Sequence, residues 1–410
     1  MLKGMRIFSA VLVMACCAAC GNNTIFPTAP VYSGYSSVSI PSGKIVMGGA
    51  IQGAPLPLVA KDKASIVVST IAGSAGSLGI ANGIDTASRF GIVNGITTDG
   101  TNLYMTDFSN HTIRKYSFSN HSTTTIAGVP GVAGISDTNP TLGIAAGFYF
   151  PSGITTDGVK NGRTNLYVVD CYNNTIRKVS FSNNSTSIVS VTTIAGTAGL
   201  AGSVDAAVGT SALFNRPTDI TTDGKNLYVT DSSSLTIRKI SMAYPYGVTT
   251  IAGAPDVGGW TDGVGVAARF QYPARITTDG SFLYVTDFIS NTIRRIDPTG
   301  MVTTIAGTPG VTGAADGIGA AASFSNVNGI TSDGTNLYVT DSNNNTVRKV
   351  VRDPSTGKWV VTTIAGTAGA IGPTDGSGAA ALFKFPVGIT TDGTSLYVTD
   401  SNNYTIRKIK

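Results

Sequence analysis

The stretch Asn336–Lys349, NLYVTDSNNNTVRK, has five near-copies in the chain, beginning at Asn102, Asn165, Asn226, Phe282 and Ser395. Each copy reads as two short runs of β-branched and aromatic residues flanking a polar group such as SNNN, the pattern of two strands joined by a tight hairpin. An Ile-Thr-Thr or Ile-Thr-Ser run and then an Asp-Gly pair precede every copy, with the aspartates at Asp99, Asp157, Asp223, Asp279, Asp333 and Asp392. Asp-Gly accepts the positive φ angles that a hairpin turn demands. A Thr-rich run ending Ile-Ala-Gly follows each copy except the last. The unit is therefore an antiparallel meander of four short strands, and long loops such as Gly366–Pro386 join one unit to the next.

One such meander cannot bury both of its faces, whereas copies stacked around an axis can, and they leave no long open edge. The order of strand types sets how the ring closes. A fourth-type strand, IVVSTIAG at Ile66–Gly73, comes before any first-type strand, and Lys410 directly follows a third-type strand, TIRKIK. The expected fold is all-β: a six-bladed β-propeller of four-stranded antiparallel blades over residues 63–410, closed by an N-terminal strand that completes the C-terminal blade (a 1+3 seam).

Composition agrees with this reading. The chain has 50 Gly, all 23 of its acidic residues are Asp, and charged residues make up 12%. Glu favours helix interiors, whereas Asp, Asn and Gly favour turns. The formal net charge of +5 is small for a chain of 410 residues. It lacks the clustered basic face that nucleic acid requires, so no nucleic-acid partner is expected. The two histidines, His111 and His121, are too few for a multi-histidine zinc centre and stand in positions that give no Ser-His-Asp set.

GITSDGTNLYVTDSNNNTVRKV (Gly329–Val350) resembles the NHL repeat, whose usual form runs from a P-x-GI first strand through LYVAD to N-H-x-I-R/Q-K. YPARITTDG, FPSGITTDG and FPVGITTDG match its opening, and SNHTIRK, with Asn110 and His111, keeps the histidine. The resemblance covers residues 66–410. It implies a propeller and leaves function open, because the family includes RNA-binding regulators, a peptide-amidating lyase and extracellular sensor or adhesion domains.

Within a repeat, the Asp ending the second strand stands diagonal to the Arg of the third strand on the same sheet face, within reach of a long side chain. Six structural pairs are expected: Asp107–Arg114, Asp170–Arg177, Asp231–Arg238, Asp287–Arg294, Asp341–Arg348 and Asp400–Arg407. The alternative is a ring of carboxylates at the channel mouth holding a cation such as Ca²⁺. No other cofactor is expected. In the long loops, Asp85, Asp137, Asp205, Asp262, Asp316 and Asp375 are expected to cap short helical turns. Phe90, Phe148, Phe214, Phe270, Phe324 and Phe383 are expected to fill the blade interfaces.

Residues 1–19 read as a signal peptide: Lys3 and Arg6 precede an apolar run, Ile7–Ala15, that is too short to span a bilayer. CAAC followed by GN resembles a lipoprotein lipobox, which implies acylation of Cys20. Residues 20–62, rich in Ser, Gly and Pro, read as a flexible tether. Cleavage before Cys20 leaves Cys171 as the one free thiol and no disulfide framework. The long loops and the polar hairpins leave the blades on one face, where binding residues concentrate on a rigid scaffold. The ligand-binding candidates on that face are Tyr172, Trp260, Phe288, Asn344 and Tyr404. The expected function is that of an exported, lipid-anchored interaction module of a bacterial cell envelope, monomeric and non-catalytic. Its expected partner is an envelope or extracellular protein, peptide or glycan, and its membrane contact is through the lipid alone. The alternative is a cation-dependent hydrolase or lyase acting on a small molecule at the channel.

Overall fold

The computed structural model describes residues 66–137, 145–158, 164–181 and 188–410. The expected signal peptide, Cys20 and the tether lie outside the described residues. Six antiparallel sheets form a closed ring. Blade 1 consists of Val93–Thr98, Asn102–Asp107, Thr112–Ser117 and Ser122–Ala127, in order from the axis to the rim. Blades 2 to 5 repeat this order from Pro151, Pro217, Pro273 and Val327. Blade 6 takes Pro386–Thr391, Leu396–Asp400 and Thr405–Ile409 from the end of the chain and Val67–Gly73 from before blade 1. Val68 stands opposite Ile409 and Gly73 opposite Thr405, so the ring is closed by the expected seam.

Four blades carry an addition that the repeat did not announce. In blades 1, 4, 5 and 6 the long loop lays a two-residue fifth strand against the rim: Gly83–Ile84, Gly263–Val264, Gly317–Ile318 and Gly376–Ser377. An outermost strand would otherwise expose a row of unpaired backbone groups, which this short piece covers. Each long loop is thus a strap. It leaves the rim of one blade, touches the rim of the next, and returns inward to start that blade's first strand.

The core lies between blades. In one representative cluster, Tyr104, Ile113 and Ala127 of blade 1 pack against Phe148, Ile154, Leu166, Val168 and Val179, which belong to blade 2 and its strap. Alternation along the strands supplies both faces, so each blade buries one side on each neighbour. At the axis the first strands come close together. A Cβ on Gly329 would lie 2.1 Å from the carbonyl of Val387, and one on Gly388 would lie 2.4 Å from that of Asn94. Only glycine allows this approach.

The Asp-Gly turns explain the conserved wording of the second strand within this chain. Asp392 Oδ1 accepts the N–H groups of Thr394 and Ser395 at 2.8 Å each, and Tyr397 donates its hydroxyl to Asp392 Oδ2 at 2.8 Å. The same tyrosine–aspartate bond forms at Tyr104, Tyr228, Tyr284 and Tyr338.

Candidate functional site

The repeated arginine is the hub of each blade. Arg348 Nη1 donates to Asp341 Oδ2 at 2.7 Å, while Nη2 donates to Asp316 Oδ1 and the Ala315 carbonyl at 2.8 Å each. Its guanidinium lies 5.2 Å from the ring centre of Phe324. The six hub arginines and their second-strand aspartates are almost wholly buried. Burial pushes the carboxyls of Asp107, Asp170, Asp341 and Asp400 up to about 6 and that of Asp231 to about 7, against the pull of the hydrogen bonds and the paired arginine. Blade 4 is looser: Arg294 stands 3.8 Å from Asp287, whose oxygens accept the N–H groups of Gln271 and Tyr272. All six of these carboxylates face blade interiors, turned away from the channel mouth.

The loop aspartates hold a different post from the expected cap. Among the described residues, none of the short helical turns in the straps entering blades 1, 3, 4, 5 and 6 has a side-chain cap. Asp137, Asp205, Asp262, Asp316 and Asp375 instead pair with the hub arginine of the blade that their strap enters, each at 2.8 Å. They also accept from a fourth-strand threonine, as Asp375 does from Thr70. Asp85 is not one of the set. Asn82 takes that place beside Arg114, at 3.3 Å, and Asp85 meets His121 Nδ1 at 3.1 Å on the surface.

The channel is plugged where the repeat loses its glycine. Asp219 and Arg275 replace the first-strand Gly in blades 3 and 4. Arg275 Nη1 stands 3.6 Å from Asp219 Oδ1 and Nε donates to Asn328 Oδ1 at 3.2 Å, while Nη2 reaches across the ring to Asn94 of blade 1. The remaining cavity, about 110 Å³, is lined by Ile and Thr side chains of the first strands together with this pair. Among the described residues, no group of three His, Cys, Asp or Glu side chains is placed to hold a metal ion.

The loop face offers an aromatic platform over blades 1 and 2. Tyr149 and Phe150, at the end of the blade 2 strap, stack at 5.1 Å with their planes 27° apart. Phe150 contacts Phe108 at 4.7 Å, His111 at 4.6 Å and Tyr172 at 4.9 Å. Arg216, from the strap entering blade 3, lays its guanidinium 5.0 Å from the centre of Tyr172. Phe150 and Arg216 hold φ at 52° and 46°, as Asn326 and Phe385 do at the same position of blades 5 and 6, a left-handed backbone that costs side-chain-bearing residues energy. Their N–H groups are fixed by the preceding blade: Phe150 donates to His111 Nδ1 at 3.1 Å and Arg216 donates to Asn174 Oδ1 at 2.8 Å. An acceptor at Nδ1 requires the imidazole proton on Nε2. Burial holds the His111 pKa below its ordinary value.

No family model matches the chain. Two curated proteins do: NHL repeat-containing protein 2 of Bos taurus and of Homo sapiens, each 33% identical over 132 residues, covering 30% of this chain and 18% of the relative. These likenesses support an NHL-repeat propeller family. The chain spans less than a fifth of the length of those curated relatives. Solved structures carry the same ring. A protein of unknown function from Bacteroides thetaiotaomicron superposes with a TM-score of 0.63 at 20% identity, over 84% of this chain and 76% of that one. Auxiliary nutrient binding proteins from Bacteroides thetaiotaomicron and Bacteroides ovatus give 0.60 at 17% and 0.59 at 19%, with the same coverage. At these identities the likeness is one of fold.

Within this propeller the five candidate loop residues part company. Tyr172 is half-buried in the aromatic platform. Trp260 is 48% exposed on the strap entering blade 4 and makes no ring contact among the described residues. Tyr404 is half-buried at the hairpin position that His111 occupies in blade 1. Phe288 is only 5% exposed, packed on Tyr272 and Ala274, which corrects its expected place on the surface. The residue after the strand-ending Asp is still tucked against its own first strand, since Phe288 donates its N–H to the Tyr272 carbonyl at 3.0 Å. Phe108, Cys171, Ser232, Ser342 and Ser401 are buried at the same position. Asn344 is likewise architectural: its Nδ2 donates to Asp341 Oδ2 at 2.8 Å and to the Gly313 carbonyl. Phe108, His111, Tyr149, Phe150 and Arg216 were absent from the candidate set. The signal for Tyr149 and Arg216 was the departure of the strap endings FYFP and FNRP from the other copies at those two places, whereas Phe108 and His111 stand in the hairpin FSNH of blade 1.

Proposed function

We propose that this NHL propeller is a non-catalytic binding module that holds its ligand on the loop face, exported and anchored to a bacterial envelope through Cys20. The observation that carries the reading is the aromatic platform of Tyr149, Phe150 and Tyr172. It breaks the sixfold repeat and sits on loops held by a rigid ring. The plugged channel supports the same side of the molecule. Two neighbours that share the fold are described as auxiliary nutrient binding proteins, which is consistent with a binding role for such rings. The ligand class on this reading is a protein, peptide or glycan of the envelope or its surroundings.

The test is affinity capture from envelope extract on the immobilised full chain, in parallel with the double variant Tyr149→Ala, Tyr172→Ala. A ligand retained by the wild type and lost from a folded double variant is the expected result. Equal retention by both would overturn the placement. Metabolic acyl labelling tests the anchor separately: label lost in Cys20→Ser is expected, and label retained there would refute the assignment.

A further inference from the structure

Two polar groups beside the aromatic platform are donors that the protein leaves without an acceptor among the described residues. Arg216, stacked on Tyr172, forms no hydrogen bond or ion pair through its guanidinium among the described residues. His111 spends Nδ1 on the Phe150 N–H, which leaves Nε2 as a donor with no protein acceptor among the described residues, on a side chain only 8% exposed. The second-strand carboxylates of these two blades are already engaged, because Asp107 is bonded to Arg114 and Asp170 to Arg177. The platform therefore offers two unspent donors and π faces, which suit a ligand that brings acceptors.

The rings also set the shape of that ligand. Guanidinium, Tyr172, Phe150 and His111 follow one another in steps of 5.0, 4.9 and 4.6 Å, a row longer than one six-membered ring. Tyr149, stacked beside the row, is 37% exposed, so the platform is open rather than walled. Aliphatic and aromatic peptide anchors gain their energy in deep, fully desolvated pockets. An open aromatic surface suits the C–H face of a pyranose, whose weakly positive hydrogens meet the negative face of the ring. A planar guanidinium suits a carboxylate, to which it can donate two parallel hydrogen bonds.

On the reading that the loop face is the ligand site, we propose that the platform binds an acidic oligosaccharide, with uronic-acid rings on Tyr149 and Tyr172 and a carboxylate on Arg216. The carboxylate supplies the partner that Arg216 lacks, and a neighbouring hydroxyl oxygen of the sugar accepts from His111 Nε2.

The experiment is calorimetric titration of the full chain with oligogalacturonate and with the same oligomer methyl-esterified, which keeps the rings and removes the charge. Wild type is expected to bind the acid form at least about tenfold more tightly than the ester. Arg216→Gln is expected to abolish that difference, and Arg216→Lys to restore only part of it because the planar fork is gone. Tyr172→Ala is expected to weaken both oligomers. Thermal unfolding of each variant confirms that the ring remains intact. Equal binding of acid and ester by wild type, discrimination that survives Arg216→Gln, or no binding of either oligomer would each overturn the proposal. A different ligand that is captured by wild type and lost in Tyr149→Ala, Tyr172→Ala would leave the loop-face reading standing while the acidic-sugar assignment fell.

Discussion

Arg348 and its five counterparts are the largest fully buried side chains in the molecule, and burying a guanidinium is tolerable only when its partners are in place. Two carboxylates, two carbonyls and a phenyl ring meet each one in most blades, although the Nε atoms of all six have no acceptor. Removing an arginine would strand both of its carboxylates. Arg348→Met should cost about 3–5 kcal/mol, measured by urea unfolding. Asp341→Asn should cost more than Asp287→Asn, because Asp287 lies 3.8 Å from its arginine without a hydrogen bond. The Asp-Gly turns make a pH prediction. Hydrogen bonds to the charged form hold Asp99, Asp223, Asp333 and Asp392 below their ordinary value of 3.8, against the opposing effect of burial. A depressed folded pKa gives stability that is fully present above 3.8 and lost as pH falls through the folded value. The hub carboxyls pushed up to 6 or 7 are protonated in both states below 3.8 and add no slope there. The unfolding temperature should therefore drop below about pH 4, and less steeply in Asp392→Asn. The Asp–Arg diagonal was legible because it depends only on hairpin length. The loop aspartate's place on the same arginine was not, because it depends on where a strap folds back.

At the scale of the element, neighbouring blades are joined by a latch. His111, Asn174, Asn291 and Asn345 each accept the N–H of a residue in the next strap: Phe150, Arg216, Asn326 and Phe385. All four of those strap residues take φ between 46° and 57°. Leu235 and Tyr404 stand at the latch position of blades 3 and 6. There Tyr272 and Ile92 keep an ordinary φ and donate to Asp287 and Ser109 of their own blades. The strain thus follows the acceptor. Asn345→Leu should destabilise the ring by about 1–3 kcal/mol through the stranded N–H of Phe385, whereas His111→Asn should be nearly neutral in denaturant titrations. Strand order and hairpin positions were readable from the repeat because alternation and turn residues are local. The burial of Phe288 was not readable: the inward-facing pattern continues one residue past the strand, into what reads as loop.

At the scale of the molecule, six similar blades divide the labour. The repeated residues build hubs, turns and interfaces, and the departures from the repeat mark where the ring becomes specific: Asp219 and Arg275 close the channel, and the Tyr149–Phe150–Tyr172 group furnishes the loop face. The seam shows the same economy, since one early strand completes the last blade and places Thr70 on Asp375. On the proposed function, ligand meets the loop face, with Asp219 and Arg275 across the channel behind it. The most direct measurement is hydrogen–deuterium exchange of the full chain with and without each member of a panel of oligosaccharides and peptides. Slowed exchange confined to Phe108–His111, Tyr149–Phe150, Cys171–Asn174 and Arg216 is expected for the member that binds. Protection centred instead on the channel threonines Thr97, Thr331 and Thr390, or no protection with any member, would contradict it.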